Sequence, residues 1–308
     1  MNTTFSAPYF ITLLEFASPT IALYAISAIN SRRKWIRSFP TIEFSVATAK
    51  RVFPLSVLFC MTVTMSNLCL KYVEVSFYQI SRSLGIPMIP LINYILFGEK
   101  STWQTVLSCI TVVIGYIAGV EGEINFSLRG TLFGLGASLV GTFYTIYLHQ
   151  YLTSIVTDSW VLSFYNNFNS SLIMCLITLV TGEEMVLRSH RAELTPTFFL
   201  WTSIAGLIGL LVGFTTQLQI KMTSSLSHNI SGVMKNCIQT FMGAAIYRTP
   251  MTFKGVCGVL LVVGGSCSYA LERIRINSNN EKTENERIKL ISKDVEKDEL
   301  LEASVVDE

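Results

Sequence analysis

Two cations stand where a lipid-solvated chain tolerates them least. Arg82 lies in the apolar run 75–97 and Lys235 in the run 225–247. A charged side chain at the bilayer centre costs about 2.5–3.5 kcal/mol even on a lenient insertion scale, so each needs a partner. One reading is a buried ion pair, with Glu15 as the acid and helix association as the purpose. The other has both cations facing an aqueous cavity between the helices and gripping a di-anionic phosphate or diphosphate. Arg holds phosphate through a bidentate fork and Lys acts as a point charge. A site near the midplane is also what alternating access requires.

A second constellation is Phe164-Tyr165-Asn166-Asn167, with Asn169, Ser170 and Ser171 following in the same run. Adjacent amides on a helix point about 100° apart, so at least one of Asn166 and Asn167 faces protein or water. A carboxamide donates and accepts, which suits the edge of a nucleobase, and Tyr165 offers a ring to stack on it. The alternative is hydrogen-bonded glue between helices, a common use of Asn and Ser in membranes. His228 and Asn229 open the run 225–247, and Gln217 and Gln219 close the run 197–219. These four either line the cavity or bond between helices. His149, beside Gln150, falls at a helix end and reads as interfacial.

Other chemistries find little support. The chain has 3 histidines, scattered, and no carboxylates at ligand spacing. There is no Ser/His/Asp arrangement and no Walker loop, so neither an enzyme nor ATP drive is expected, and no cofactor or metal is called for. The 7 cysteines all sit in apolar runs without a CxxC, as small buried hydrophobes do. A net charge of +2 gives no reason to expect nucleic acid as a partner.

The elements that must position these groups are membrane spans. Half of the 308 residues are apolar and 14% are charged, and the mean hydropathy is +0.48. Without residues 272–308 the charged share falls to roughly 10%, far below a soluble globule. Runs of about 20 apolar residues mark spans, and nine are expected: 8–30, 53–72, 75–97, 103–120, 130–151, 160–181, 197–219, 225–247 and 253–272. Pro87, Pro90, Gly209, Gly213, Gly264 and Gly265 fall inside them, as bends or close helix contacts.

Lys and Arg crowd the first connection (Arg32, Arg33, Lys34, Arg37, Lys50, Arg51), which places it and the tail in the cytosol. The amino terminus then lies across the membrane, and the sequons at Asn2 and Asn125 face the lumen. Residues 1–272 form the transmembrane domain. Residues 273–308 form a charged cytosolic tail, where Glu296–Leu301 has the spacing of an acidic dileucine signal.

An internal repeat is expected at an offset of 150, which lays Leu70-Lys71 over Ile220-Lys221 and Gln79-Ile80-Ser81 over Asn229-Ile230-Ser231. Arg82 and Lys235 follow, one turn apart in register. The two halves are about 1–125 and 126–272. At this offset the fifth span, 130–151, requires a counterpart ending near residue 1.

The order and spacing of several short motifs resemble the triose-phosphate/nucleotide-sugar transporter family of the drug/metabolite transporter superfamily. They include Pro54-Leu55-Ser56-Val57, Asn67-Leu68-Cys69-Leu70-Lys71-Tyr72-Val73 and Arg82-Ser83-Leu84. Phe164-Tyr165-Asn166-Asn167, Ser227-His228-Asn229-Ile230-Ser231-Gly232 and Lys235 continue the similarity, which spans about Ala7 to Leu271.

The resemblance implies an all-α membrane protein with an inverted repeat of ten helices. About nine would be present here, because Ala7-Pro8-Tyr9-Phe10 aligns with the start of the family's second helix. It further implies a Golgi or ER antiporter taking a nucleotide sugar in exchange for a nucleoside monophosphate, here GDP-fucose for GMP. In that family the FYNN motif reads guanine and a Gly-x-x-Asn-Lys motif engages sugar and phosphate. The matching positions here read Gly232-Val233-Met234-Lys235-Asn236.

The implied binding set is Arg82, Tyr165, Asn166, Asn167, His228, Asn229, Gly232 and Lys235. The implied surroundings are the lipid bilayer, with a homodimer as an admissible assembly. The sequence departs from the family at His149-Gln150, where a Lys is common, and at Val233 and Met234, which are bulkier than usual. The alternatives are a carrier of the same fold for another nucleotide sugar or phosphate ester, and a non-transporting regulatory homologue.

Overall fold

The computed structural model describes residues 7–33, 39–73, 75–98, 100–121, 127–156, 158–190, 194–222, 232, 235, 238–239, 242, 246, 252–276 and 278–279. Among them the chain is helical: α1 Pro8–Arg33, α2 Val46–Tyr72, α3 Val75–Ser83, α4 Gly85–Phe97, α5 Trp103–Glu121, α6 Leu128–Ser154, α7 Ser159–Val180, α8 Glu183–Ser189 and α9 Pro196–Met222. The last, α10, is Phe253–Ile276. Residues 232, 235, 238, 239, 242 and 246 are also helical. His228, Asn229, the sequons at Asn2 and Asn125 and the tail beyond 280 lie outside the described residues.

The expectation of nine spans is modified. Six described helices are long and apolar enough to cross a membrane, or seven when α7 and α8, bent by 75°, are taken together. Three causes account for the difference. The run 225–247 falls mostly outside the described residues. Helix α7 carries Asn166, Asn167 and Asn169, which lower its hydropathy below that of a plain span.

The third cause is that the run 75–97 is two helices, α3 and α4. Pro87 has no N–H to give to the carbonyl four residues earlier, and its ring collides with that carbonyl, which belongs to Ser83. Helix α3 therefore ends at Ser83 with a tightened turn, the Leu84 amide donating to the Ser81 carbonyl at 3.2 Å, and α4 restarts at Gly85.

Local chemistry sets the other ends. Ser45 and Ser127 cap α2 and α6, their hydroxyls accepting from the amides of Thr48 and Gly130. Asp158 caps α7 by accepting from Trp160 and Val161 at 2.7 and 3.2 Å. Gly98, at φ 69°, ends α4 in the left-handed conformation that glycine tolerates.

Helices α2 and α9 are each 27 residues long and start 150 residues apart; α5 and α10 likewise start at Trp103 and Phe253. Two crossings organise the bundle. Helix α2 lies antiparallel to α6, with Cys69 against Gly134, Met65 against Gly136 and Phe59 against Tyr144. Helix α5 meets α10 backbone to backbone: a Cβ built on Gly258 would stand 2.5 Å from the Gly119 nitrogen, and one on Gly115 would stand 2.7 Å from the Val262 nitrogen. Small residues permit this approach, and close packing drives association in lipid. The crossing ends on an exposed salt bridge, Lys254 to Glu121 at 3.2 Å.

Candidate functional site

The break between α3 and α4 places Arg82 at the last turn of a short helix, about a third of the way along the run 75–97. The partial negative charge of a helix carboxyl end favours a cation there. Neighbouring contacts fix the turn. The Ser138 hydroxyl on α6 donates to the Ser81 carbonyl at 2.6 Å, and Gly134 leaves room for the Ser81 side chain. Arg82 itself is exposed, its guanidinium carbon 5.9 Å from the Tyr78 ring centroid.

Lys235 is helical and exposed, and it lies within electrostatic range of Arg82. Among the described residues neither cation forms a salt bridge, and half-buried Glu15 pairs with neither. Gly232, three residues before Lys235, has no described atom within 4 Å of the position a Cβ would take. Arg82 and Lys235 are thus like charges near enough to feel one another.

Helix α7 divides its polar residues between two duties. Asn169 ties α7 to α2, donating to the Ala49 carbonyl at 2.9 Å, and Ser163 ties it to α9, its hydroxyl donating to the Gln217 side-chain Oε1 at 3.1 Å. These two match the inter-helix role. Asn167 donates to the Ser163 carbonyl on its own helix at 2.8 Å. Asn166 is buried with no hydrogen-bond partner for Oδ1 among the described residues, and the Ser159 and Ser170 hydroxyls on the same helix are likewise unpartnered there. A buried acceptor without a donor costs free energy, and such a group in a native fold calls for an explanation.

Tyr144 on α6 lies beside the Asn166 carboxamide. Sequence reasoning passed over Tyr144, which sits in an apolar run with nothing local to distinguish it. Helix α6 thus holds Ser138 against the Arg82 turn and Tyr144 against Asn166, about 9 Å apart along its axis.

Tyr165 departs from the expectation of a ring open to stacking. It is 1% exposed, with ring contacts to Phe164 and Phe44. Its hydroxyl donates to the Glu43 carbonyl at 2.9 Å and accepts from the Ser45 amide at 2.8 Å. Phe164 is buried in the same cluster, with Leu23, Val52 and Leu148.

Comparison with known proteins gives this arrangement a context. Residues 1–270 match the Triose-phosphate Transporter family. The chain is 34% identical to "GDP-fucose transporter 1" of Dictyostelium discoideum, over 87% of this chain and 73% of that protein. The same identity holds with "GDP-fucose transporter 1" of Mus musculus, over 86% and 74%. It is 22% identical to "GDP-mannose transporter GONST5" of Arabidopsis thaliana, over 84% and 75%. A solved crystal structure shares the fold at a TM-score of 0.55 and 14% identity, covering 88% of this chain and 90% of that one. With the family matched over residues 1–270 and relatives 34% identical over most of both chains, the chain is a member of the Triose-phosphate Transporter family.

Proposed function

We propose that this chain is a nucleotide-sugar antiporter that carries GDP-fucose into the Golgi lumen and returns GMP. The observation that carries the reading is the pair of like charges, Arg82 and Lys235, held within electrostatic range with no acid paired to either among the described residues. Two cations in apolar runs repel one another, and each is costly to keep charged at membrane depth. A diphosphate relieves both costs, and GMP relieves them on the return journey. Exchange then needs a counter-nucleotide rather than ATP.

Asn166, with Asn167 beside it, reads the guanine edge, and its unpartnered Oδ1 accepts from the base. Gly232 leaves open space one turn from Lys235. His228 and Asn229 complete the set on the sequence evidence alone. The relatives named for GDP-fucose support the cargo. The relative named "GDP-fucose transporter, Golgi" from Drosophila melanogaster, 31% identical, supports the compartment.

The matched starts of α2 with α9 and α5 with α10 support two halves, about 1–125 and 126–272, related by an inverted repeat. The basic first connection supports a cytosolic tail.

The test is exchange in proteoliposomes. Purified protein reconstituted with GMP inside should accumulate labelled GDP-fucose, and empty vesicles should not. Uptake driven equally by UMP, or exchange of another phosphate ester with GDP-fucose excluded, would overturn the assignment of cargo.

A further inference from the structure

The segment 39–45 between α1 and α2 is an ordered strap with three anchors. The Ile42 amide donates to the Ser27 hydroxyl at 2.7 Å. The Asn30 amide nitrogen donates to the Phe39 carbonyl at 3.0 Å. The third anchor is Tyr165 on α7, whose hydroxyl spends its proton on Glu43 and receives the Ser45 amide. Ser45 also caps α2. One phenol thus joins the strap, the first turn of α2 and the helix bearing Asn166.

That phenol cannot serve two masters. With its hydroxyl engaged at both ends and its ring enclosed, Tyr165 offers nothing to a ligand, although the next residue presents a buried acceptor with no partner among the described residues. We infer that the strap is a gate at the end of the bundle where α1 ends and α2 and α7 begin, and that Tyr165 is its latch. A guanine nucleotide reaching Asn166 takes Tyr165 as well and releases the strap; when the nucleotide leaves, the latch re-forms. This rests on the reading of Asn166 as a base contact, and under the orientation proposed above it makes the gate cytosolic. Two bonds to a main chain suit such a device, because each is weak once exchange with water is counted.

The experiment is hydrogen–deuterium exchange of the full chain in nanodiscs, with GDP as the probe and thermal stability measured on the same samples. GDP should stabilise the wild type and yet speed exchange of the Ile42 and Ser45 amides, about fivefold for the bond each loses. Tyr165→Phe should show the fast Ser45 exchange without nucleotide and no further response. Ser27→Ala, remote from the base contacts, should free the Ile42 amide and keep the GDP response at Ser45. Stabilisation by GDP with strap exchange unchanged or slowed would overturn the gate and leave the transporter reading standing. No stabilisation by GDP would overturn both. Should Tyr165→Phe fail to fold, the wild type and Ser27→Ala decide the matter alone.

Discussion

The Glu183 carboxylate accepts a hydrogen bond from the Phe10 amide at 2.8 Å, and a second from Tyr9 at 3.2 Å. A residue 173 positions away in sequence from Phe10 therefore caps α1. The usual capping position, just before Pro8, holds Ala7, which has no side-chain acceptor. Glu183 is buried at the start of α8, where the chain turns through 75°.

Loss of this cap should be felt in stability. Glu183→Ala leaves two first-turn amides without acceptors and should cost about 1–2 kcal/mol. For a chain of this size the melting temperature should fall by a few degrees, and Glu183→Gln should recover part of the loss. Thermal unfolding followed by size-exclusion chromatography checks this; an unchanged melting temperature for Glu183→Ala would contradict the capping role.

The two cations separate a transport role from a structural one. Arg82→Ala and Lys235→Ala should each abolish GDP-fucose exchange while expression and membrane insertion stay at wild-type levels. Arg82→Lys keeps the charge and loses the bidentate fork, so it should exchange with a raised KM. Loss of folded protein in both alanine variants would instead point to a structural pair.

Asn166 and Asn169 should part company. Asn169→Ala removes the bond to the Ala49 carbonyl and should lower stability by about 1 kcal/mol, or roughly 2–4 °C in melting temperature. Asn166→Ala removes an acceptor with no partner among the described residues, together with the contact to Tyr144, so stability should fall less than in Asn169→Ala, while GDP binding weakens at least about tenfold. Calorimetric titration and thermal unfolding, run on both variants, distinguish the outcomes. Equal destabilisation by the two would remove Asn166 from the binding set.

The crossing of α5 and α10 should reject any side chain. Gly258→Leu places its Cβ on the Gly119 backbone, which cannot give way, and should abolish monodisperse protein. Gly209→Leu, at an exposed position with no described atom near, should be tolerated. Fluorescence-detected size exclusion on crude extracts suffices to compare them.

Much of this architecture is legible because lipid solvation imposes long apolar runs. Helices α1, α2, α5, α6, α9 and α10 overlap the expected windows. Several overrun them, as α2 does by starting at Val46, because Lys50 and Arg51 can extend toward the interface while the backbone stays helical. The break before α4 falls where Gly85 and Pro87 stand together; Pro19, Pro54 and Pro90, without such a glycine beside them, lie inside unbroken helices. The offset of 150, inferred from a handful of matching residues, recurs in the helix starts at Val46 and Pro196 and at Trp103 and Phe253.

The long-range polar contacts left no such trace. Glu183 reads as a loop acid until α1 comes to rest against it. The latch of Tyr165 on Glu43 and Ser45 joins residues about 120 apart through main-chain atoms, which no side-chain pattern records. The separation of Asn166 from Asn169 is likewise invisible in the motif, because it depends on which neighbouring helix each amide meets.

The end of α3 bears on how a charge could live inside a membrane. Under the proposed reading, the negative potential beside Arg82 comes from peptide groups at a helix end rather than from an acid, since no acid pairs with it among the described residues. A carboxylate would compete with the cargo's oxyanions at every turnover and have to be dislodged. Peptide dipoles are fixed, overall neutral and cannot be titrated away, so the guanidinium is steadied without being silenced.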